Sequence, residues 1–103
     1  MSDDVTTALT ETIAPAMGWN TYESGEMTTS TGQYFCLDAD RPAIMCELLM
    51  PALDVWHGYK TCAGYYCEVT VDGVMYVNDE AADTPHDAFI LAFAALIDGG
   101  WKP

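Results

Sequence analysis

Basic residues are scarce in this 103-residue chain, which has only Arg41, Lys60 and Lys102 against sixteen acidic residues, for a formal net charge of −13. Proteins that bind DNA, RNA or an anionic membrane directly need clusters of lysine and arginine. We therefore expect no direct contact with these partners. An acidic surface suits a basic partner instead, and nucleic-acid-binding grooves are strongly basic. Acidity also favours solubility, so charge alone leaves both interpretations open.

Export and membrane signals are lacking as well. Residues 1–4 have neither the basic nor the apolar region of a signal peptide. The longest apolar run, residues 88–97, is too short to cross a bilayer. These absences predict a cytoplasmic protein.

Cysteine is present without an oxidising context. In the absence of a secretory signal, we expect reduced and buried thiols at all four positions: Cys36, Cys46, Cys62 and Cys67. The last two are separated by four residues rather than by the two of a structural zinc knuckle. His57 and a third cysteine could complete a less regular zinc site with them, but the spacing predicts no metal.

Motifs for catalysis and cofactor binding are missing too. His57 and His86 belong to no nucleophile–base signature. Gly99-Gly100 follows a predicted helix, whereas a phosphate loop precedes one. We therefore predict no catalytic residue and no cofactor, so the protein should act by binding rather than as an enzyme.

The apolar content is sufficient for a folded domain. Half of the residues are apolar, with three Trp, six Tyr and three Phe, which predicts one core in a single domain over residues 1–103. Apolar residues at helical spacing predict a first helix over 3–17, capped at Ser2. An Asp-Arg-Pro start predicts a second helix over 41–56, and Thr84-Pro85 predicts a third over 85–98. The third is apolar nearly all round, which is typical of a buried helix.

The strand signals are strongest around Asp72-Gly73. This dipeptide lies between two runs rich in β-forming residues and predicts a two-residue hairpin over 65–78. An edge strand is expected near 33–37 and a turn over 57–60, and residues 20–32 are expected as a loop that could include a short strand. The predicted fold class is α+β, with a small antiparallel sheet packed against about three helices. One hairpin face is expected in the core: Cys67, Val69, Val71, Val74 and Tyr76.

Three short segments carry a family resemblance. They are Ala-Met-Gly-Trp at 16–19, Asp-Arg-Pro-Ala at 40–43, and Ala-Asp-Thr-Pro-His-Asp-Ala-Phe at 82–89. With the predicted order of elements, these segments make the chain resemble small phage proteins of the phage ABA-sandwich domain family. The resemblance implies helices on a small antiparallel sheet and a phage or prophage origin. It implies no catalytic residue.

Acidic residues group along the sequence, and these groups are the candidate partner-binding site. A row of carboxylates can imitate the regularly spaced phosphates of DNA, and a neighbouring aromatic ring adds contact area. The candidate contact residues are Glu23, Glu26, Tyr66, Glu68, Asp72, Asp79, Glu80, Asp83 and Asp87. Together with the resemblance, they lead to the hypothesis of a phage-encoded inhibitor that binds a basic host protein or ribonucleoprotein, such as a CRISPR effector.

Two other functions fit the same sequence. A phage accessory or structural protein could form a homodimer through the apolar helix 85–98, with Phe89 and Phe93 at the contact. A small-ligand binding or sequestering protein could hold its ligand between the sheet and the helices. In both cases the acidity would only provide solubility.

Overall fold

A computed structural model describes residues 3–103 and contains three helices. Helix α1 covers 3–17 and consists of Asp3–Thr7, a π-helical stretch Ala8–Ile13 and a last turn Ala14–Met17. Helix α2 covers 41–52 and passes from Arg41–Ala43 through π-helical Ile44–Leu49 to a 3₁₀ turn, Met50–Ala52. Helix α3 is the regular α-helix Pro85–Asp98.

Two of the helices have the predicted bounds. Helix α1 ends at Gly18, which adopts the left-handed conformation (φ 76°) and donates its amide to the carbonyl of Ala14. The predicted cap at Ser2 lies outside the described residues. Helix α3 begins as predicted at Thr84, whose side chain accepts a hydrogen bond from the amide of Asp87 at 3.2 Å.

Helix α2 is shorter than predicted, and the prediction of helix over 53–56 is wrong. Leu53 is already extended (φ −105°, ψ 151°). Pro51 lacks an amide hydrogen and favours this early end. The chain then enters strand β4, Val55–Thr61. The turn predicted at 57–60 is therefore also wrong, because these residues lie within β4.

The strands form two separate antiparallel sheets of three strands each. The first sheet has the order β1 (Asn20–Thr21), β2 (Glu26–Thr28) and β3 (Tyr34–Cys36). The expected strand near 33–37 is thus present, but it pairs with β2 rather than with the hairpin. The segment 20–32, expected as a loop with a possible short strand, supplies two short strands, β1 and β2.

The second sheet has the order β4, β5 (Gly64–Val71) and β6 (Val74–Val77). The predicted hairpin is confirmed, with Val71 opposite Val74. Asp72 (φ 52°) and Gly73 (φ 78°) both have the positive φ that a type I′ turn requires. Strand β4 pairs along the other edge of β5.

Helix α3 lies at the centre of the core, as its apolar sequence predicted. Phe89 and Phe93 are fully buried. Their rings continue a chain of aromatic contacts from Trp56, at 5.7 Å from Phe89, to Trp101, at 5.6 Å from Phe93. The hairpin face packed on this helix has a buried centre at Cys67, Val69 and Val71. Val74, expected in the core, is exposed instead because it lies on edge strand β6 next to the turn.

Candidate acidic interface

The loop between β6 and α3 carries Asp79, Glu80 and Asp83, and Asn78 fixes its position. The buried Asn78 accepts a hydrogen bond from the amide of Cys67 at 2.8 Å through Oδ1. Its Nδ2 donates to the carbonyl of Glu80 at 2.7 Å. Ala82 then pairs with Tyr65 through two backbone hydrogen bonds of 2.9 Å. The loop is therefore anchored to β5, and its carboxylates are held at one end of the core.

These carboxylates lie at a groove of about 360 Å³ between α1 and α3. The groove is lined by Asp4, Thr7, Ala8, Thr12, Asp79, Glu80, Leu91, Ala94, Ala95 and Asp98. A smaller recess of about 110 Å³ adjoins it, shares Asp4 and Leu91 with it, and includes Asp83. We call this surface the acidic groove and define it by its five exposed carboxylates: Asp4, Asp79, Glu80, Asp83 and Asp98.

The acidic groove is lined by both charged and apolar side chains. Its rim is anionic, whereas Ala8, Leu91 and Ala94 give it an apolar floor. Lysine and arginine are absent from the described residues that line the groove and its recess. An anionic rim over an apolar floor suits a side chain with an aliphatic stem and a cationic head, which is the character of lysine and arginine.

Asp87, another of the candidate residues, lines the smaller recess but is buried, unlike Asp83 beside it. Its side chain is only 11% exposed, and Oδ1 accepts a hydrogen bond from Arg41 Nη1 at 3.2 Å. Arg41 Nη2 also donates to Thr6 Oγ1 at 3.0 Å and lies 3.1 Å from Asp38. The Asp87 carboxylate therefore neutralises a buried guanidinium that joins the three helices.

The structure places Tyr66 and Glu68 on a different surface, the outer face of the second sheet. The Tyr66 ring stacks on Tyr59 at 5.8 Å, and Tyr59 stacks on His57 at 5.9 Å. Glu68 lies opposite His57 in the ladder. These residues share a face with one another but not with the acidic groove.

The remaining candidate residues do not line the groove or its recess either. Asp72 lies in the hairpin turn, where its amide donates to Asp54 Oδ2 at 2.9 Å. Glu23 and Glu26 belong to the first sheet region. Hydrogen bonding from Tyr34 and then from Ser24 holds the pKa of Glu26 below its ordinary value. The nine candidates therefore divide among several surfaces, and three of them meet at the acidic groove.

Sequence reasoning missed Asp4 and Asp98 as site residues. They are far apart in the chain and meet because α1 packs against α3. One signal was present: Asp98 ends a helix, where a negative charge is unfavourable to the helix dipole. A residue that opposes local stability in this way indicates a function of its own.

The described residues give little support to a disulfide, a metal site or a membrane span. All four cysteines are free thiols, and Cys46 and Cys62 are exposed rather than buried as expected. Among residues 3–103, no three histidine, cysteine, aspartate or glutamate side chains converge as metal ligands would. Across the same residues, each helix is too short or too polar to span a membrane. No protein-family model, curated protein or solved structure matches this chain.

Proposed function

We propose that this protein is an acidic inhibitor that occupies the nucleic-acid-binding surface of a basic protein. The observation that carries the proposal is the acidic groove, where five exposed carboxylates from α1, α3 and the loop between β6 and α3 share one surface. Lysine and arginine side chains of the partner would place their stems on the apolar floor and their charges at the rim. The carboxylates would thereby take the place of DNA or RNA phosphates.

Repulsion among the carboxylates of the acidic groove should lower the stability of the fold, and this cost supports a binding role. Like charges that lie close together destabilise a fold, and a basic partner reverses that effect on binding. Arg41 is buried against Asp87, and Lys60 lies 5.4 Å from the Tyr65 ring on the second sheet. Neither lines the groove, so its negative charge faces solvent.

The sequence resemblance to phage proteins suggests which basic protein is the target. A phage protein of this size and charge would act in the host cytoplasm on a nucleic-acid-binding defence complex. CRISPR effectors hold their nucleic acids in positively charged channels, which a row of carboxylates can enter as a DNA mimic. We therefore propose an anti-CRISPR type of activity.

The test is a competition experiment with purified CRISPR effector complexes of defined types. Binding of fluorescent target DNA by each effector is measured with increasing amounts of the protein. The groove variant is Asp79→Lys/Glu80→Lys/Asp83→Lys. The matched control, Glu23→Lys/Glu26→Lys/Asp72→Lys, changes the net charge equally but lies away from the groove.

The wild-type protein and the control variant should both displace DNA, whereas the groove variant should lose at least about tenfold in potency, because several charge-assisted contacts are reversed. Higher salt should weaken displacement, since the contact is electrostatic. Equal potency of the groove variant and the control, with both folded, would contradict the groove as the contact. Absence of displacement for every effector tested would contradict the anti-CRISPR proposal.

The packing bears differently on the two alternatives suggested by the sequence. Helix α3 is covered within the chain, so Phe89 and Phe93 offer no surface for self-association. Trp56 and Phe89 pack together between α3 and the second sheet. A recess of about 290 Å³ remains at the end of α3, lined in part by Val74, Tyr76 and Leu96, and it is smaller than the acidic groove. We therefore keep the acidic inhibitor as the proposed function.

A further inference from the structure

Strand β4 forms an open edge of the second sheet. It has seven residues, Val55–Thr61, and within the described chain only β5 pairs with it. Its side chains extend into solvent, with Val55 at 61% exposure and Trp56 at 41%. Proteins usually protect an edge of this length with a proline, a bulge, several charges or a covering segment. Here the strand has no proline and Lys60 is its only charged residue.

The free hydrogen-bonding groups of this edge can be assigned from the ladder. Tyr65 uses both its amide and its carbonyl on Ala82, so it does not bond Lys60, the residue opposite on β4. Backbone groups alternate in direction along an antiparallel strand. Lys60, Gly58 and Trp56 therefore direct their amides and carbonyls to the open side.

Gly58 is at the centre of β4, and nothing within the chain requires a glycine there. Its φ is not in the positive region, and a Cβ added at this position would meet only ordinary contacts, at 3.8 Å from the Tyr66 carbonyl oxygen and 3.9 Å from the Trp56 ring. Glycine weakens a strand interior and often marks a position where another backbone approaches closely. The chain thus has a glycine at the middle of an unpaired edge.

Charge distinguishes β4 from the rest of the molecule. Residues 55–67 form the longest stretch of the sequence without an acidic residue. Two copies of a chain with a net charge of −13 repel one another over most of their surfaces. Two copies could therefore approach along this strand without a carboxylate on either β4, the nearest being Asp54 before the strand and Glu68 on β5.

We propose that two copies of the chain pair through antiparallel β4 edges and form one six-stranded sheet. The symmetry axis passes by Gly58, which lies opposite Gly58 of the second copy. Trp56 then lies opposite Lys60 of the second copy, on the same side of the sheet, where a cation–π contact forms. His57 lies opposite Tyr59 of the second copy and extends the row of stacked rings already present from Tyr66 through Tyr59.

This dimer is independent of the proposed inhibitory function, because β4 and the acidic groove share no residue. The two interactions also respond oppositely to salt. Salt screens the repulsion between two acidic copies and should strengthen the dimer, whereas it should weaken binding of the groove to a basic partner. The failure of one proposal can therefore be distinguished from the failure of the other.

The first experiment is sedimentation equilibrium of the full chain over a range of concentrations, in about 50 mM and about 500 mM NaCl. We expect a species of twice the chain mass of 11.2 kDa, more populated at high salt.

Three variants at Gly58 test the contact. Gly58→Pro removes an outward amide, and Gly58→Lys places two lysines opposite each other. Each should weaken the dimer at least about tenfold. Gly58→Ala keeps the amide and adds only a methyl group where the two backbones approach, so it should weaken the dimer much less than Gly58→Lys.

Circular dichroism establishes that each variant is folded, and Gly58→Lys decides the outcome if Gly58→Pro does not fold. A second experiment tests the register directly with Gly58→Cys in a Cys46→Ser/Cys62→Ser/Cys67→Ala background, because Cys67 lies opposite Gly58 on β5 and would otherwise compete for the new thiol. Directly opposed residues in the hydrogen-bonded register have Cα atoms about 5.5 Å apart, which permits a disulfide. Val55→Cys in the same background lies opposite Thr61 and should not cross-link.

A rapidly formed disulfide-linked dimer at position 58 but not at position 55 would support the register. A wild-type protein that remains monomeric at every concentration would overturn the proposal, leaving an extended segment of another protein as the occupant of the edge. A dimer unaffected by both Gly58→Pro and Gly58→Lys would also overturn it, because the contact would then lie elsewhere.

Discussion

Arg41 and Asp87 form a buried ion pair between the beginnings of α2 and α3, with Arg41 Nη1 at 3.2 Å from Asp87 Oδ1. Arg41 also donates from Nε to the carbonyl of Leu37 at 3.0 Å. The chain's only arginine therefore stabilises the junction of its helices. Because this arginine is buried, the ratio of acidic to basic side chains is higher on the surface than in the whole sequence.

Removing the charge of Asp87 should strongly destabilise the fold. Asp87→Asn removes the buried one of the two carboxylates that contact the Arg41 guanidinium, and the free energy of unfolding should fall by about 3 kcal/mol. Asp38→Asn is the matched control, since Asp38 contacts the same guanidinium but its side chain is 76% exposed; its effect should be below about 1 kcal/mol. Urea denaturation measures both. Equal losses for the two variants would contradict the assigned importance of the buried pair.

Local chemistry explains what the sequence predicted well. Asp72-Gly73 defines its own turn through positive φ angles, and Thr84-Pro85 defines a helix start through one side-chain hydrogen bond. These signals depend on a few adjacent residues. Such signals do not depend on long-range contacts, and both elements begin where they were predicted.

Long-range pairing explains what the sequence did not reveal. Gly58 and its polar neighbours resemble a turn, whereas the actual turn between β4 and β5 is Cys62-Ala63, which has no turn signature. Pairing with β5 decides the conformation of this segment. Likewise, Asp4 and Asp98 join the acidic groove only because α1 packs on α3, and Asp87 turns inward only because Arg41 is there.

Gly99 should not tolerate alanine. A Cβ at this position would overlap the hydroxyl and ring of Tyr76, which packs against the end of α3. Gly99→Ala should lower the free energy of unfolding by about 1–3 kcal/mol, as overpacking generally does. Gly58→Ala serves as the control, because a Cβ there meets only ordinary contacts. A thermal melt in which both variants match the wild type would show that Tyr76 moves aside freely.

Cys67 should be an unreactive thiol that makes stability depend on pH. Burial raises the pKa of Cys67 from 9.0 to about 11. The unfolded thiol ionises first as pH rises, so the stability contributed by the neutral buried thiol is complete below pH 9 and is lost between pH 9 and about pH 11. The loss should be about 1–2 kcal/mol.

The comparison of wild type with Cys67→Ala isolates this effect from the titration of tyrosines and lysines. The alanine variant should be less stable at neutral pH, and the gap should narrow above pH 9. In the native wild type, a thiol reagent should modify the exposed Cys46 and Cys62 well before Cys67. A gap that stays constant with pH would contradict the raised pKa.

The acidic groove should reduce stability at low salt. Asp79, Glu80 and Asp98 are exposed carboxylates at one groove, and Asp98 also ends a helix where negative charge is unfavourable. Asp79→Asn, Glu80→Gln and Asp98→Asn should each raise the free energy of unfolding by about 0.3–1 kcal/mol in low-salt buffer. The gains should shrink as salt screens the repulsion.

Glu23→Gln is the matched control for this prediction, since Glu23 is exposed away from the groove and its neutralisation should change stability by less than about 0.5 kcal/mol. Urea denaturation of all four variants at low and high salt provides the measurement. The groove variants should gain stability while they lose potency in the DNA-competition experiment, because the carboxylates that repel one another are those proposed to contact the basic partner. Variants that lose stability instead would show that these carboxylates stabilise the fold. That result would contradict the interpretation of the groove as a surface whose charges serve binding at the expense of stability.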